Sequence, residues 1–527
     1  MIEQKTKIGF DVSGATATAE TKGLGGAVEE TRPTEEMTKL IAKGGGIAFA
    51  GFIFRRTANL LFQILLTRVL GVAAYGIYTL GYSVMSITGY VSMLGLPNAS
   101  LRFGAIYHAT GDNDRLKGCF LLVLFWAAMI AVPTTILLFV FSQALAVNFF
   151  KESQLAGVLR GFALAIPFFA VFTVSAASLR GLKEIKYSIA ISEVFPSVGN
   201  LLLVGIAFLL GLRLMGAVYG FVFASVLTAG VGLFYLWRTS APLVSQAKPV
   251  YEAKKVLGYS LIVSLADLSY LLLSQTDRIM LGHSTTAQNV GIYSVAALIA
   301  SQLPIFLLSI DGIFSPVMAD LYSRNRLEQL NSLFKVTAKW TLSLTLPAFM
   351  ILILFPNIIQ LFGARFVAGW PVLAVLSAAH LLHIGTGSAK TVLIMCGRQR
   401  LELYNSIVLA SLNVILNILL IPVYGILGAA VATGISICLV SLTQLVEVYI
   451  CFKMHPYKRS LLKPIASGLI AVVLWWLLNL IIPFDGFTWI AGIGIFIAFY
   501  LTALWLLGFD REDKTVLRAL KRRLLQN

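Results

Sequence analysis

Apolar runs of about 20 residues, the length of a helix that crosses a bilayer, alternate with short polar segments along most of the chain. They fall near 47–68, 77–97, 118–142, 156–178, 188–210, 214–237, 257–276, 290–313, 337–360, 369–395, 403–422, 426–450, 464–483 and 487–508. The pattern predicts an all-α polytopic membrane protein with fourteen spans. The first run breaks its own rule by carrying Arg55 and Arg56 in its interior. An arginine at the centre of a membrane helix costs roughly 2.5–3.5 kcal/mol, so a pair has to face water, protein or an anion. Arg56, Asn59, Gln63 and Thr67 recur at helical intervals and draw one polar stripe down a helix whose other positions are Phe, Ile and Leu. The stripe predicts a helix that lines a cationic cavity. The alternative is a pair that snorkels to the cytosolic headgroups.

Composition fixes the class. The chain has 527 residues, 58% hydrophobic and only 12% charged, with mean hydropathy +0.85, far from the roughly 25% charged residues of soluble domains. Its net charge of +17 is spread between apolar runs rather than gathered in a patch, which argues against nucleic acid as a partner. Of the 41 Lys and Arg, 32 lie in the termini and alternate loops and 6 in the opposite loops. The positive-inside rule then makes both termini cytoplasmic, in a cell (plasma or inner) membrane. The three left over are Arg55, Arg56 and Lys390, all placed within spans. Residues 1–43 read as a disordered cytoplasmic tail ending in a short surface helix over about 35–42, with Gly44 to Gly46 as a hinge. Residues 509–527 read as a basic cytoplasmic tail. The four cysteines, Cys119, Cys396, Cys438 and Cys451, have no paired spacing and predict neither a disulfide framework nor a zinc site.

An internal repeat divides the chain. RVLGVAAYGIYTL (68–80) matches RIMLGHSTTAQNVGIYSV (278–295), with Gly76 and Gly291 215 positions apart. Leu179–Gly181 matches Met395–Gly397 at an offset of 216, and Gly216–Ala217 matches Gly428–Ala429 at 212. Six spans separate equivalent helices, so the copies share one orientation and relate by an axis along the membrane normal, with a substrate site expected between them. The expected halves are 44–238 and 257–452, joined by a cytoplasmic linker at 239–256, with two additional spans over 464–508.

At Gly397 to Ser436 the chain resembles the oligosaccharide (O-antigen type) polysaccharide flippases of the multidrug/oligosaccharidyl-lipid/polysaccharide exporter superfamily. The matching positions are Asn413, Asn417, Ile421-Pro422, Tyr424-Gly425, Gly428-Ala429-Ala430 and Ala432-Thr433. Arg68-Val69-Leu70-Gly71 with Tyr75-Gly76-Ile77-Tyr78, Gly95-Leu96-Pro97-Asn98 before Arg102, and Phe314-Ser315-Pro316 are similar too, and the likeness covers about 44–508. The resemblance implies a transporter that moves a polyprenyl-(pyro)phosphate-linked oligosaccharide from the cytoplasmic to the outer leaflet. Its implied partners are that lipid-linked substrate, membrane lipids and the glycan polymerase or glycosyltransferase machinery.

The seventh run supplies the opposite wall, with Ser260, Ser264, Asp267, Ser274 and Arg278 near one helical face. Asp267 is expected to pair across the cavity or couple its motion, and simple bundle-holding is the competing reading. Lys390 is a further cationic candidate, and Asp311, Glu193 and Gln302 are weaker ones near span ends or prolines. The substrate set is therefore Arg55, Arg56, Asn59, Gln63 and Lys390, and the coupling set Asp267, Ser264 and Asp311. His380 and His383 lack a third metal ligand. No catalytic constellation, cofactor motif or GxxxxGK[ST] phosphate loop is present. Three competing functions stand beside the flippase. A membrane glycan polymerase or ligase needs larger charged outer loops, and a cation-coupled multidrug exporter favours an acidic cavity. A lipid-linked peptidoglycan precursor flippase shares every feature named so far. The topology has a direct test: single cysteines at Gln288 and Lys458 should react with an impermeant maleimide from opposite faces of the membrane, and labelling from one face would remove the fourteen-span arrangement.

Overall fold

The computed structural model describes residues 32–481 and 488–508, and their side chains outside 32–50, 52–53, 265–270 and 272–273. Only helices and the turns between them occur among these residues. Lipid offers no partner to a backbone N–H or C=O, so each crossing segment must satisfy its own. The first half holds α1 (Arg32–Met93), α2 (Leu96–Thr110), α3 (Asn113–Ala144), α4 (Leu155–Ala163), α5 (Ile166–Gly181), α6 (Ile185–Ile189), α7 (Phe195–Leu209) and α8 (Leu214–Val244). The second holds α9 (Ala253–Ser284), α10 (Ala287–Ala300), α11 (Ile305–Ser323), α12 (Leu327–Leu354), α13 (Asn357–Gln360), α14 (Trp370–Gly385), α15 (Ala389–Met395) and α16 (Gln399–Phe452). Last come α17 (Leu462–Ile481) and α18 (Trp489–Leu506).

Ten described helices are long and apolar enough to cross a membrane, or eleven when α4 and α5, bent by 41°, count as one span. That is fewer than the fourteen expected. Two of the ten are over-long: Phe54–Met93 has 40 residues and Gln399–Phe452 has 54. They would extend roughly 60 and 80 Å as straight helices, against a hydrocarbon core of about 30 Å. Each is broken by one glycine, Gly71 (φ 72°, ψ 179°) or Gly425 (φ 55°, ψ −127°), in a conformation that any side chain would strain. Each therefore contains material for two crossings. The hinge expected at Gly44–Gly46 is not formed, because α1 stays helical from Arg32 through these glycines. A glycine inside a helix costs only about 1 kcal/mol against alanine. The tails at 1–31 and 509–527 lie outside the described residues.

The repeat reappears in the backbone. Left-handed residues recur 214 positions apart as Gly111 and Asn325, Lys183 and Gly397, and Gly211 and Gly425. The halves also grip each other reciprocally. Arg68 Nε donates to the Leu361 carbonyl at 2.8 Å and its Nη2 to the Gln360 carbonyl at 2.6 Å. His283, 215 positions after Arg68, donates from Nδ1 to the Phe149 carbonyl at 2.8 Å, and Phe149 precedes Leu361 by 212. Residue i meeting j′ while i′ meets j is the signature of a two-fold relation. Gly76 and Gly291, themselves equivalent, face each other where α1 meets α10. A Cβ on Gly76 would sit 1.7 Å from the Ala287 carbonyl oxygen, and one on Gly291 2.4 Å from that of Val72.

The segment before α9 lies along the start of α3. Val250 N donates to the Asp114 carbonyl at 3.1 Å, and Lys248 N to its carboxylate at 2.8 Å. Glu252 accepts from Tyr107 Oη at 2.6 Å and pairs with Arg115 at 3.1 Å and Lys255 at 3.0 Å. The Tyr107 hydrogen bond and Lys255 hold its carboxyl below the usual range. The last two helices dock on α12, where Phe355, Trp475, Phe496 and Tyr500 form a separate core and Tyr500 Oη donates to the Ser343 carbonyl at 2.9 Å. The four cysteines are free thiols.

Gly76→Val should force α1 and α10 apart, costing about 1–3 kcal/mol as an overpacked contact. Gly230→Ala, which has open space around it, should be neutral or slightly stabilising. Melting curves of the detergent-solubilised protein compare the two, and an unshifted Gly76→Val curve would contradict the close approach.

Candidate functional site

Three adjoining cavities share Tyr82 in their walls; the first lies within the first half, and the second and third lie between the halves. The first, about 490 Å³, is walled by α1, α2, α5, α7 and α8 and carries Arg55, Asn59, Asn98, Arg180, Glu193 and Asn200. The second, about 610 Å³, lies where α1 and α2 face α9, and Ser264, Ser274 and Gln275 contribute to its wall. The third, about 210 Å³, continues along α1 past Asn59 to Gln63 and meets Arg278 and Ser294 from the second half.

The polar stripe of α1 reaches these cavities through Arg55, Asn59 and Gln63, spaced by four, so that they share one face. Arg55 pairs with Glu193. Gln63 accepts from Tyr75 Oη at 2.9 Å. Arg56, one residue round the helix, lines none of the three. It donates from Nη1 to Gln302 Oε1 at 2.7 Å and reaches the Ser301 carbonyl at 3.5 Å, at the break between α10 and α11. A cation suits that position, because the last carbonyls of α10 are the negative end of its dipole. Thr67 turns its hydroxyl back to the Gln63 and Ile64 carbonyls.

Lys390 sits away from these cavities and pairs at 3.0 Å with Glu402, which also accepts from Gln444 at 2.8 Å. Asp311 accepts from Thr391 at 2.7 Å, within the second half. Ser264 lines the second cavity, its hydroxyl donating to the Leu261 carbonyl at 2.7 Å. The side chain of Asp267 lies outside the described residues. His383 Nδ1 is 2.8 Å from Ser441 Oγ.

The carboxylate that organises the second half is Asp277, which the sequence analysis passed over. It is 7% exposed. Asn417 Nδ2 donates to its Oδ1 at 2.7 Å and Asn413 Nδ2 at 3.3 Å. Thr433 Oγ1 donates to its Oδ2 at 2.7 Å, joined there by Tyr293 Oη. Asn413 also donates to Thr433 at 2.8 Å, and Asn417 to Asn413 Oδ1 at 3.1 Å. The cluster ties α9 and α10 to both arms of α16. The amides turn their nitrogens to the carboxylate, which is thereby satisfied, while Asn417 Oδ1 has no partner among the described residues. No group of three His, Cys, Asp or Glu comes together among those residues. The signal in the sequence was there: Asn413 and Asn417, four apart inside an apolar run, need a polar partner on another helix.

A family model described as polysaccharide biosynthesis protein matches residues 41–322. The probable low-salt glycan biosynthesis flippase Agl15 of Haloferax volcanii is 24% identical over 409 residues, 75% of this chain and 78% of its own. Among solved structures, lipid II flippase MurJ in an inward closed conformation gives a TM-score of 0.66 at 17% identity, covering 87% of this chain and 98% of its own. An inward-facing multidrug resistance transporter of the MATE family, in the MOP superfamily, gives 0.63 at 16% identity, covering 76% and 94%. These two structures share the fold.

Thr433→Val keeps the side-chain shape and removes one donor to a buried charge, which should cost about 1–3 kcal/mol. Asn59→Leu on the cavity wall should change stability by less than about 0.5 kcal/mol. Thermal unfolding of the two purified variants compares them, and equal melting temperatures would show that the Asp277 cluster does not hold the bundle.

Proposed function

The chain belongs to the polysaccharide biosynthesis protein family and is a multi-pass membrane transporter, and from that premise we propose that it flips a polyprenyl-(pyro)phosphate-linked oligosaccharide from the cytoplasmic to the outer leaflet. The observation that carries the proposal is the row Arg55, Asn59, Gln63 on one face of α1, leading from the cavity inside the first half to the one shared with the second half. A desolvated phosphate needs donors in place of water, and the guanidinium fork supplies paired hydrogen bonds without losing its charge. Arg180 adds a second cation to the first cavity. The glycan takes the amide and aromatic surfaces beyond Asn59, while the lipid tail stays in the bilayer.

Alternating access supplies the motion. The reciprocal contacts of Arg68 and His283 hold the outer ends of the halves together and have to open for release. Arg56 on the α10–α11 break transmits the tilt of α1 to the second half. An inside-negative potential favours outward passage of each negative charge by roughly 2.3 kcal/mol per 100 mV, so a pyrophosphate can move without a co-transported ion. A drug exporter for cations is less well served, since the first cavity sets Arg55 and Arg180 against Glu193 alone. A peptidoglycan-precursor lipid remains the nearest competing substrate.

In proteoliposomes loaded with a fluorescent polyprenyl-pyrophosphate oligosaccharide, Arg55→Ala should slow translocation about tenfold to a hundredfold, the worth of one charge-assisted contact. Arg55→Lys should recover part of the rate. A correctly inserted Arg55→Ala protein that flips at the normal rate would take Arg55 out of the substrate path, and full recovery by lysine would reduce it to a headgroup anchor.

A further inference from the structure

The third cavity holds a cation that is only partly satisfied among the described residues. Arg278 donates from Nη1 to Gln275 in its own helix at 3.0 Å, but its Nε is buried with no acceptor among the described residues. Among the described residues, no Asp or Glu lines the cavity. The neighbouring Asp277 commits both oxygens to Tyr293, Asn413, Asn417 and Thr433. Two more polar atoms of the same wall, Ser294 Oγ and Asn200 Oδ1, are also buried without partners among the described residues. Buried polar groups are nearly always satisfied, and three exceptions around one cavity point to a missing ligand rather than to chance.

The remaining wall says what kind. Phe62, Tyr78 and Phe221 present rings to the space, while Asn59 and Asn200 present amides. Aromatic rings take the C–H face of a pyranose, and amides bridge its hydroxyls. At about 210 Å³ the cavity is below the roughly 300 Å³ at which drug-sized pockets begin, so it takes one ring. Gln63 lies eight residues along α1 from Arg55, about 12 Å nearer the outer side.

We propose that this cavity is a subsite for a single acidic sugar residue of the glycan, its carboxylate received by Arg278 and its ring seated against Phe62, Tyr78 and Phe221. The inference rests on the flippase reading and narrows it to glycans that carry a uronic acid. Arg278 is a specificity residue here, touching substrate without chemistry.

The test uses the full chain in lipid nanodiscs, titrated calorimetrically with phenyl β-glucuronide, phenyl β-glucoside and inorganic pyrophosphate. The glucuronide should bind at least about tenfold more tightly than the glucoside, as a charge-assisted contact would. Arg278→Gln should erase that preference, leave glucoside binding within about twofold and so report its own folding. Arg278→Lys should keep part of the preference. Equal affinities, no binding of either glycoside, or a preference that survives Arg278→Gln would overturn the subsite. Pyrophosphate affinity that falls in Arg278→Gln, with no glucuronide preference, would make the cavity a phosphate seat and overturn it as well. Translocation of a lipid carrying only neutral sugars at the full rate, by contrast, would leave the flippase reading standing while the acidic-sugar subsite falls.

Discussion

The interior of a bilayer gives a polar atom nothing to bond to, and that shortage arranges this protein from the backbone outward. Serines and threonines in the helices return their hydroxyls to the carbonyl four residues back, as Ser175, Thr228 and Ser436 do. Carboxylates collect donors from neighbouring helices: Asp277 from α10 and α16, Glu193 from Arg55, Glu402 from Lys390 and Gln444. Around the smallest cavity between the halves, this matching is left incomplete at Arg278, Ser294 and Asn200. A transporter needs that incompleteness. A site whose every donor was already paired would have nothing to give a substrate that had shed its water.

Neighbouring charges are thereby separated into different tasks. Arg55 and Arg56 are adjacent in sequence but about 100° apart around the helix, enough to put one on the cavity and the other on the carbonyl end of α10. The same separation divides Asp277 from Arg278. The acid closes a network inside the second half, and the base opens onto the cavity. Hydropathy alone treats each pair as one polar interruption.

Much of the architecture was legible for that reason, and some of the site was not. The breaks at Gly71 and Gly425 sit in the segments RVLGVAAYG and IPVYG, where a glycine ends an apolar run, and the helical period placed Asn59 and Gln63 on one face. The hinge at Gly44–Gly46 does not form because each glycine costs a helix only about 1 kcal/mol against alanine, and α1 runs through all three. Asp277 was passed over because it stands beside Arg278 near the end of an apolar run, where an acid and a base look self-compensating. Three of its four partners lie 136 to 156 positions away, and no local pattern announces a pairing of that range. Lys390 looked like a cavity cation for the converse reason: its counter-ion, Glu402, comes from the next helix.

The reciprocal grip of Arg68 on Leu361 and His283 on Phe149 has a bearing on ancestry. A chain half this length, pairing with a second copy of itself in the same orientation, would have made both contacts with one residue pair, and its glycine at the 76/291 position would have met its own twin. Every substitution there would have struck the partnership twice. Fusion of the copies ends that coupling, and the two seats are free to diverge. One now holds a guanidinium fork that spans two carbonyls, and the other an imidazole that meets one. A symmetric ancestor had the same hold at both seats; the fused chain can strengthen or loosen one alone.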